Sequence, residues 1–212
     1  MNKIEIMIVE DDPIWLRGIS DIIQNEPDFN LCCTAGSKEE ALKVFAEHKL
    51  DVILMDINLS ENNLDGIELA SEFLQEREEL KIIMLTSLTE EEVILDSFSA
   101  GAVNYLNKLH FKEIPDAVRS AFQQSSGIHP SAAAVLRKEF LRMKQKENEN
   151  LLTPSEKEIL KLVHEGNTQT EIEKTLFITK RTIKNHINKI LKKMGVKSSK
   201  DAAEMAKKKK MF

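Results

Sequence analysis

Short apolar runs at residues 4–9, 29–34, 52–55, 81–86 and 103–106 alternate with amphipathic stretches at about 14–25, 38–48, 66–79, 90–100 and 112–124. The runs barely alternate in polarity, "VILM" at 52–55 least of all, as expected of strands buried on both faces. The intervening stretches carry helical periodicity. Two open on capping-box patterns, Ser37 with Glu40 and Thr89 with Glu92. Five strands alternating with five helices predict an α/β doubly wound, five-stranded parallel sheet covered on both faces. In such a sheet ligands bind beyond the carboxyl ends of the strands. The residues that stand there therefore matter most.

After residue 124 the pattern changes. Residues 125–150 predict a linker, at least partly helical, with its flexible point near 125–130, where Ser, Gly and Pro gather. Residues 151–212 read as helix throughout, with helices near 154–165, 168–175, 180–194 and 198–210. Thr153, Pro154 and Glu156 supply an N-cap, an N1 proline and an N3 acid for the first of these. In the 180–194 helix, Ile183, Ile187, Ile190, Leu191 and Met194 form one apolar stripe, and Lys184, Asn185, Asn188, Lys189 and Lys192 occupy the opposite face. The domain boundaries expected are thus 1–124, 125–150 and 151–212.

Charge sharpens the division. Residues 1–124 hold 10 Lys and Arg against 25 Asp and Glu, whereas residues 125–212 hold 20 against 10. An acidic half joined to a basic half implies different partners, with nucleic acid the natural one for the basic half. No run of about 18 apolar residues is present to span a membrane, and the N-terminus "MNKIEIMIVEDD" lacks the layout of a signal peptide. A cytoplasmic protein without a membrane partner is expected. Cys32 and Cys33 are adjacent in an apolar run and read as small core residues.

The strand ends carry a chemical pattern. Glu10 and Asp11 follow the first run, Asp56 ends the third, Thr86 ends the fourth and Lys108 follows the fifth. A parallel sheet gathers all five at one edge. Three carboxylates held together call for a cation, and hard oxygen ligands point to Mg²⁺. Asp56 could then stay ionised and accept a phosphoryl group. Lys108 and Thr86 could each reach a phosphoryl oxygen. Asp65 reads as a turn or helix-start residue.

On these residues, "VEDD", "LMD", "MLTS" and "YLNK", the first half resembles the receiver domain (CheY-like) of bacterial two-component response regulators along its whole length. The resemblance implies that a sensor histidine kinase phosphorylates Asp56. It implies that Glu10, Asp11, Asp56 and the backbone carbonyl of Asn58 hold Mg²⁺. Thr86 and Lys108 would sense the phosphoryl group, and Tyr105 would be the aromatic switch. Asp12 lies one position beyond the acidic pair and is not expected to be a ligand. The sequence departs from the family at Ser60 and Leu109, where proline is usual, and in a longer loop before Gly66. Leu88, two residues beyond Thr86, cannot orient a hydrolytic water, so a long-lived acyl phosphate is expected.

The second half resembles the LuxR-type helix-turn-helix, most specifically through "TIKNHINKILKKMGV". The resemblance implies that the 180–194 helix enters the major groove of double-stranded DNA. Lys184, Asn185 and Asn188 would read bases. Lys180, Thr182, Lys189 and Lys192 would contact phosphates. Glu173 stands where alanine is usual, and His186 reads as a packing residue without metal partners. The small residues Ala202, Ala203 and Ala206 suit either a dimer contact or packing within the domain, and Lys207–Lys210 are expected to fray. The whole reads as a NarL/FixJ-type regulator that dimerises on phosphorylation and binds promoter half-sites. It is expected to be a phosphoacceptor and not an enzyme. A Mg²⁺-dependent phosphohydrolase is disfavoured because Asn58, not a second acid, follows Asp56 by two. A scaffold that ignores phosphorylation is disfavoured by the intact acidic set.

Overall fold

The structure, a computed structural model, describes residues 3–60, 64–123 and 127–212. Five strands, β1 (Ile4–Val9), β2 (Phe29–Ala35), β3 (Val52–Asp56), β4 (Lys81–Thr86) and β5 (Asn104–Asn107), form one sheet in the order β2-β1-β3-β4-β5. Every pairing is parallel. Helices α1 (Pro13–Gln24), α2 (Lys38–Glu47), α3 (Asp65–Glu76), α4 (Glu91–Ser99) and α5 (Ile114–Phe122) alternate with the strands, and a 3₁₀ turn, Lys108–Glu113, precedes α5. This is the doubly wound sheet that the unalternated runs predict.

The two faces of the sheet carry separate cores. Met7, Val9, Ile53, Met55, Ile82 and Met84 pack against residues of α2, α3 and α4, among them Phe45, Phe73 and Ile94. Ile6, Ile8, Val52, Leu54, Ile83 and Leu85 pack against Ile19 and Ile23 of α1 and Ile114 and Val118 of α5. Adjacent residues of β1, β3 and β4 thus enter opposite cores, which explains why none of these strands can carry a polar face. The β1–β2 pairing slips by one residue at Cys32, so that Ile6 faces Leu31 while Met7 faces Cys33. The Cys32 thiol donates to Glu5, and burial pushes its pKa up to about 12, with the Glu5 carboxylate adding to the effect.

Two local expectations need correction. The N-cap of α4 is Glu90, one residue beyond Thr89, and makes no side-chain cap bond. Its carboxylate instead accepts from the Thr89 N–H, so the Thr89–Glu92 box does not form. At α2, Ser37 does accept from the Glu40 N–H, but the Glu40 carboxylate reaches back to the Gly36 N–H instead of the cap residue.

The chain divides into two compact units, Met1–Arg137 and Lys138–Phe212. The division falls inside α6 (Pro130–Asn150), whose first turns contribute Ala132, fully buried, and Val135 to the core of the first unit. The expected flexible point covers Ser125 and Ser126, which lie outside the described residues. The second unit holds α7 (Pro154–His164), α8 (Gln169–Leu176), α9 (Lys180–Met194) and α10 (Ser199–Lys208) around a core that includes Ile159, Leu160, Ile172, Ile183 and Ile190. No helix among the described residues is long and apolar enough to cross a membrane.

Candidate functional site

Strand order decides which polar side chains meet. Glu10 and Asp11 leave β1, Asp56 ends the adjacent β3, Thr86 ends β4, and Lys108 begins the turn after β5. Glu10, Asp56, Thr86 and Lys108 are all buried. The Lys108 ammonium lies 2.8 and 2.7 Å from the two carboxylate oxygens of Glu10 and donates to Asp56 Oδ2 at 2.9 Å. The other Asp56 oxygen, Oδ1, accepts from the Ile57 N–H at 2.7 Å. The Trp15 ring covers the ammonium, 5.6 Å from ring centre to Nζ.

The electrostatics follow from burial. Taking the carboxylates out of water pushes the Glu10 pKa up to about 7 and raises that of Asp56, although Lys108 opposes both shifts. Burial works against the Lys108 charge too, yet its bonds to Glu10 and Asp56 outweigh it and hold the ammonium firmly protonated. Glu10, Asp11 and Asp56 can present oxygens within 4.8 Å of one another, so the trio could hold a metal ion. Glu10 Oε2 is buried, and its charged neighbour is the Lys108 ammonium at 2.7 Å. Asp12 is not part of the trio: it caps α1, accepting from the N–H groups of Ile14 and Trp15.

Thr86 and Tyr105 are joined through one backbone unit. The Leu88 N–H donates to Thr86 Oγ1 at 3.1 Å, and the buried Tyr105 hydroxyl donates to the Leu88 carbonyl at 2.8 Å. The β4–α4 loop is therefore held by both side chains. The sequence shows the apolar side chain of Leu88, whereas its backbone link depends on a loop path that no local pattern encodes.

The loop after β3 is braced by Asp65, whose two oxygens accept from the Leu59 N–H at 2.9 Å and the Ser60 hydroxyl at 2.7 Å. Its role is structural, as expected of a helix-start residue. Residues 61–63 of the lengthened loop lie outside the described residues. Gly66 carries no local signal in the sequence, yet a Cβ there would stand 1.9 Å from the Asp56 carbonyl oxygen. Only glycine lets α3 start this close to the strand end.

In the second unit, α9 presents Lys180, Lys184, Asn185, Asn188, Lys189 and Lys192 as exposed side chains. Its other side is held by Ile183, Ile190 and Met194. Thr182 is half-buried and shares its hydroxyl with that of the N-cap Thr179 at 3.0 Å. Glu173 from α8 accepts from the Lys180 N–H at 3.3 Å, placing a carboxylate at the positive end of the helix. Lys193 faces elsewhere, bonded at 2.7 Å to the buried Glu156, which also closes the capping box of α7. Ala202, Ala203 and Ala206 are buried in the core of their own unit, so that packing uses their small side chains. The expected fraying at Lys207–Lys210 is corrected as well. The Lys210 N–H returns to Lys207 O and the Met211 N–H to Ala206 O, and Met211 is buried. This closes α10 with a left-handed residue, Lys210 at φ 52°, and an apolar anchor.

Comparison with known proteins adds the family. Residues 6–119 match the response regulator receiver domain, and residues 150–206 match the bacterial regulatory proteins of the luxR family. The transcriptional regulatory protein LiaR of Bacillus subtilis is 34% identical over 208 residues, covering 96% of both chains. The response regulator protein VraR of Staphylococcus aureus is 32% identical over 195 residues, covering 91% of both. Among solved structures, the Salmonella typhimurium RcsB response regulator shares the fold at 21% identity and a TM-score of 0.58, with 98% of this chain and 99% of that one covered. An RcsB–DNA complex matches at 22% identity and a TM-score of 0.57, with coverage of 97% and 99%.

Proposed function

The chain belongs to the two-component response regulators that carry a receiver domain and a luxR-type DNA-binding domain and act in transcription regulation, and from that premise we propose that phosphorylation of Asp56 controls its binding to DNA. The observation that carries this reading is the Lys108 ammonium bridging Glu10 and Asp56 at the sheet edge. A sensor histidine kinase is the donor. An Asp56 oxygen attacks the phosphohistidine phosphorus, the P–N bond breaks, and the imidazole leaves with a proton. Lys108 then pairs with a phosphoryl oxygen, and Thr86 donates its hydroxyl to another.

Glu10, Asp11, Asp56 and the Asn58 carbonyl are the proposed holders of Mg²⁺. The all-oxygen donor set, three carboxylates whose oxygens can lie within 4.8 Å of one another, suits a hard divalent cation. A bound Mg²⁺ would offset the negative charge of the carboxylates and of the incoming phosphoryl group. Asp56 acts as phosphoacceptor and not as the nucleophile of a turnover enzyme, because Asn58 offers no acid at the position two residues on.

The readout runs through Leu88. When Thr86 turns its hydroxyl to the phosphoryl group, the Leu88 N–H loses its partner. The loop that accepts from Tyr105 is then released, and Tyr105 acts as the switch. Only the free-energy difference between these two loop states can reach the DNA-binding unit. The active form is a cytoplasmic homodimer on paired half-sites of double-stranded DNA. Lys184, Asn185 and Asn188 read base edges, while Lys180, Thr182, Lys189 and Lys192 contact phosphates.

The test is the oligomeric state by light scattering, with Mg²⁺ alone and then with beryllofluoride added. A shift from monomer to dimer that Asp56→Ala abolishes is the expected result. A dimer present from the start, unchanged by the analogue, would sink the proposal.

A further inference from the structure

We propose that His110, Glu113 and His129 form a second metal site, for a divalent first-row transition ion such as Zn²⁺, separate from the acidic trio at the sheet edge. His110 Nδ1 lies 3.1 Å from Glu113 Oε1, and His129 Nε2 lies 3.5 Å from Glu113 Oε2. One ligand atom from each of the three can be chosen so that all lie within 4.8 Å of one another. Zinc bonds to imidazole nitrogen and carboxylate oxygen of about 2.0–2.1 Å place tetrahedral ligand atoms about 3.3 Å apart. Each of the two short separations is close to that value, but they run to different oxygens of Glu113, so one ion draws the three ligands together by a turn of the exposed Glu113 carboxylate and His110 ring. Two imidazoles and one carboxylate, with a position left for water, favour zinc and its neighbours over Mg²⁺.

The surroundings are built for this. His129 Nδ1 is 2.7 Å from the Ser131 hydroxyl, a partner for the nitrogen that would not touch metal, leaving Nε2 to bind. Asn104, buried at the start of β5, accepts from the His129 N–H at 3.0 Å and donates to the Gly127 carbonyl at 2.8 Å. The third ligand is thus held in place before any ion arrives. His129 is mostly covered, with 12% of its side chain exposed, while His110 and Glu113 stay open to solvent at 47% and 53%. An ion has a way in. His110 and Glu113 come from the turn that begins at Lys108, and His129 from the residue before α6. An ion bound there staples the entry of α6 to that turn.

The experiment uses the full chain, without a histidine tag and stripped by chelator, titrated calorimetrically with Zn²⁺ in millimolar Mg²⁺ so that the acidic trio is occupied. Cys32→Ser and Cys33→Ser are included to remove the thiols. One equivalent of Zn²⁺ is expected at micromolar affinity or tighter. His110→Ala, Glu113→Gln and His129→Ala should each weaken it by about 100-fold, and Ser131→Ala by roughly 10-fold. Bound Zn²⁺ should also slow amide exchange over residues 127–135. Absence of uptake by the parent chain would overturn the proposal. So would affinity unchanged in folded His129→Ala and Glu113→Gln proteins, with circular dichroism establishing the fold. Ser131→Ala leaves all three ligands in place and supplies an independent check.

Discussion

Gly66→Ala is a one-methyl change that should damage both the fold and the phosphoacceptor. The added carbon would stand 1.9 Å from Asp56 O and 2.9 Å from both Asp56 C and Ile57 Cα. Carbon contacts become favourable only near 3.5–4.0 Å, so the α3 start and the β3 end must part by about 1.5 Å. Neither side yields easily. The atoms struck are backbone, and Asp56 and Ile57 are buried in the sheet's carboxyl edge. Moving α3 outward breaks the 2.9 Å hydrogen bond from the Gly66 N–H to Ile57 O and pulls Asp65 away from the Leu59 N–H. Overpacking costs about 1–3 kcal/mol and the lost hydrogen bond about 1 kcal/mol, giving roughly 2–4 kcal/mol in all. That is a large part of the stability of an ordinary domain. Urea unfolding of the full chain, followed by the fluorescence of Trp15, measures it. If Asp56 survives in a displaced position, an error of about 1 Å should slow phosphorylation by acetyl phosphate on the order of 100-fold. A Gly66→Ala protein with an unchanged urea midpoint and an unchanged phosphorylation rate would refute the reasoning about the strand end.

Other substitutions probe the remaining contacts. Lys108→Met removes the cation between two buried carboxylates and should cost about 3 kcal/mol in chelator; millimolar Mg²⁺ should stabilise this variant more than the parent, and equal Tm shifts would contradict a shared set of oxygens. Lys193→Met leaves Glu156 buried without its partner and should destabilise the C-terminal unit by about 1–2 kcal/mol, below the full cost of a buried pair because the lysine side chain is 38% exposed. Burial alone would raise the Glu156 pKa, but the bonds from Lys193 and the Thr153 N–H hold it below its ordinary 4.5. That contribution is fully present above about pH 4.5 and fades as pH falls through the lowered value, so unfolding followed from pH 7 to 3 should show a smaller acid loss in Lys193→Met. Lys192→Ala should reduce the slope of log affinity against log salt by about 1 on any bound DNA without altering sequence preference; a changed preference with an unchanged slope would move Lys192 from phosphate to base contact.

What the sequence disclosed follows a physical line. A parallel strand buried on both faces needs a continuous apolar run, so the five strands stood out, and polar residues ending such runs stood out with them. Asp56 is the plainest case, the first charge after "VILM". The α9 stripe was legible for the same reason, since one buried face repeats at a helical period. Hidden features needed a partner distant in sequence or a fit between backbones. Glu156 and Lys193 are 37 residues apart, and nothing local pairs them. Gly66 looks like any glycine at a helix start until β3 is set against it. The Thr89 pattern slipped by one residue because the helix begins at Glu91, and the Glu90 carboxylate at the cap position takes the Thr89 N–H instead of a helix N–H.

The 125–150 segment shows how composition alone can mislead about a boundary. Its charged residues made it read as a spacer, and from Lys138 onward that suits the largely exposed surface of α6. Its first turns carry Ala132 and Val135 instead, and these belong to the core of the first unit. Ala132 and Val135 lie in the uncharged run "SAAAVL" at 131–136, where no polar neighbours mark the buried positions, yet a fully buried alanine fixes the spot at which the helix leaves the domain. His129, one residue before α6, is held by Asn104 and faces His110 and Glu113 across a gap that suits a metal ion. The segment is best regarded as starting inside the receiver unit. A deletion that begins at residue 125 would therefore expose part of the core left by Ala132, whereas one that begins at Lys138 would leave it covered.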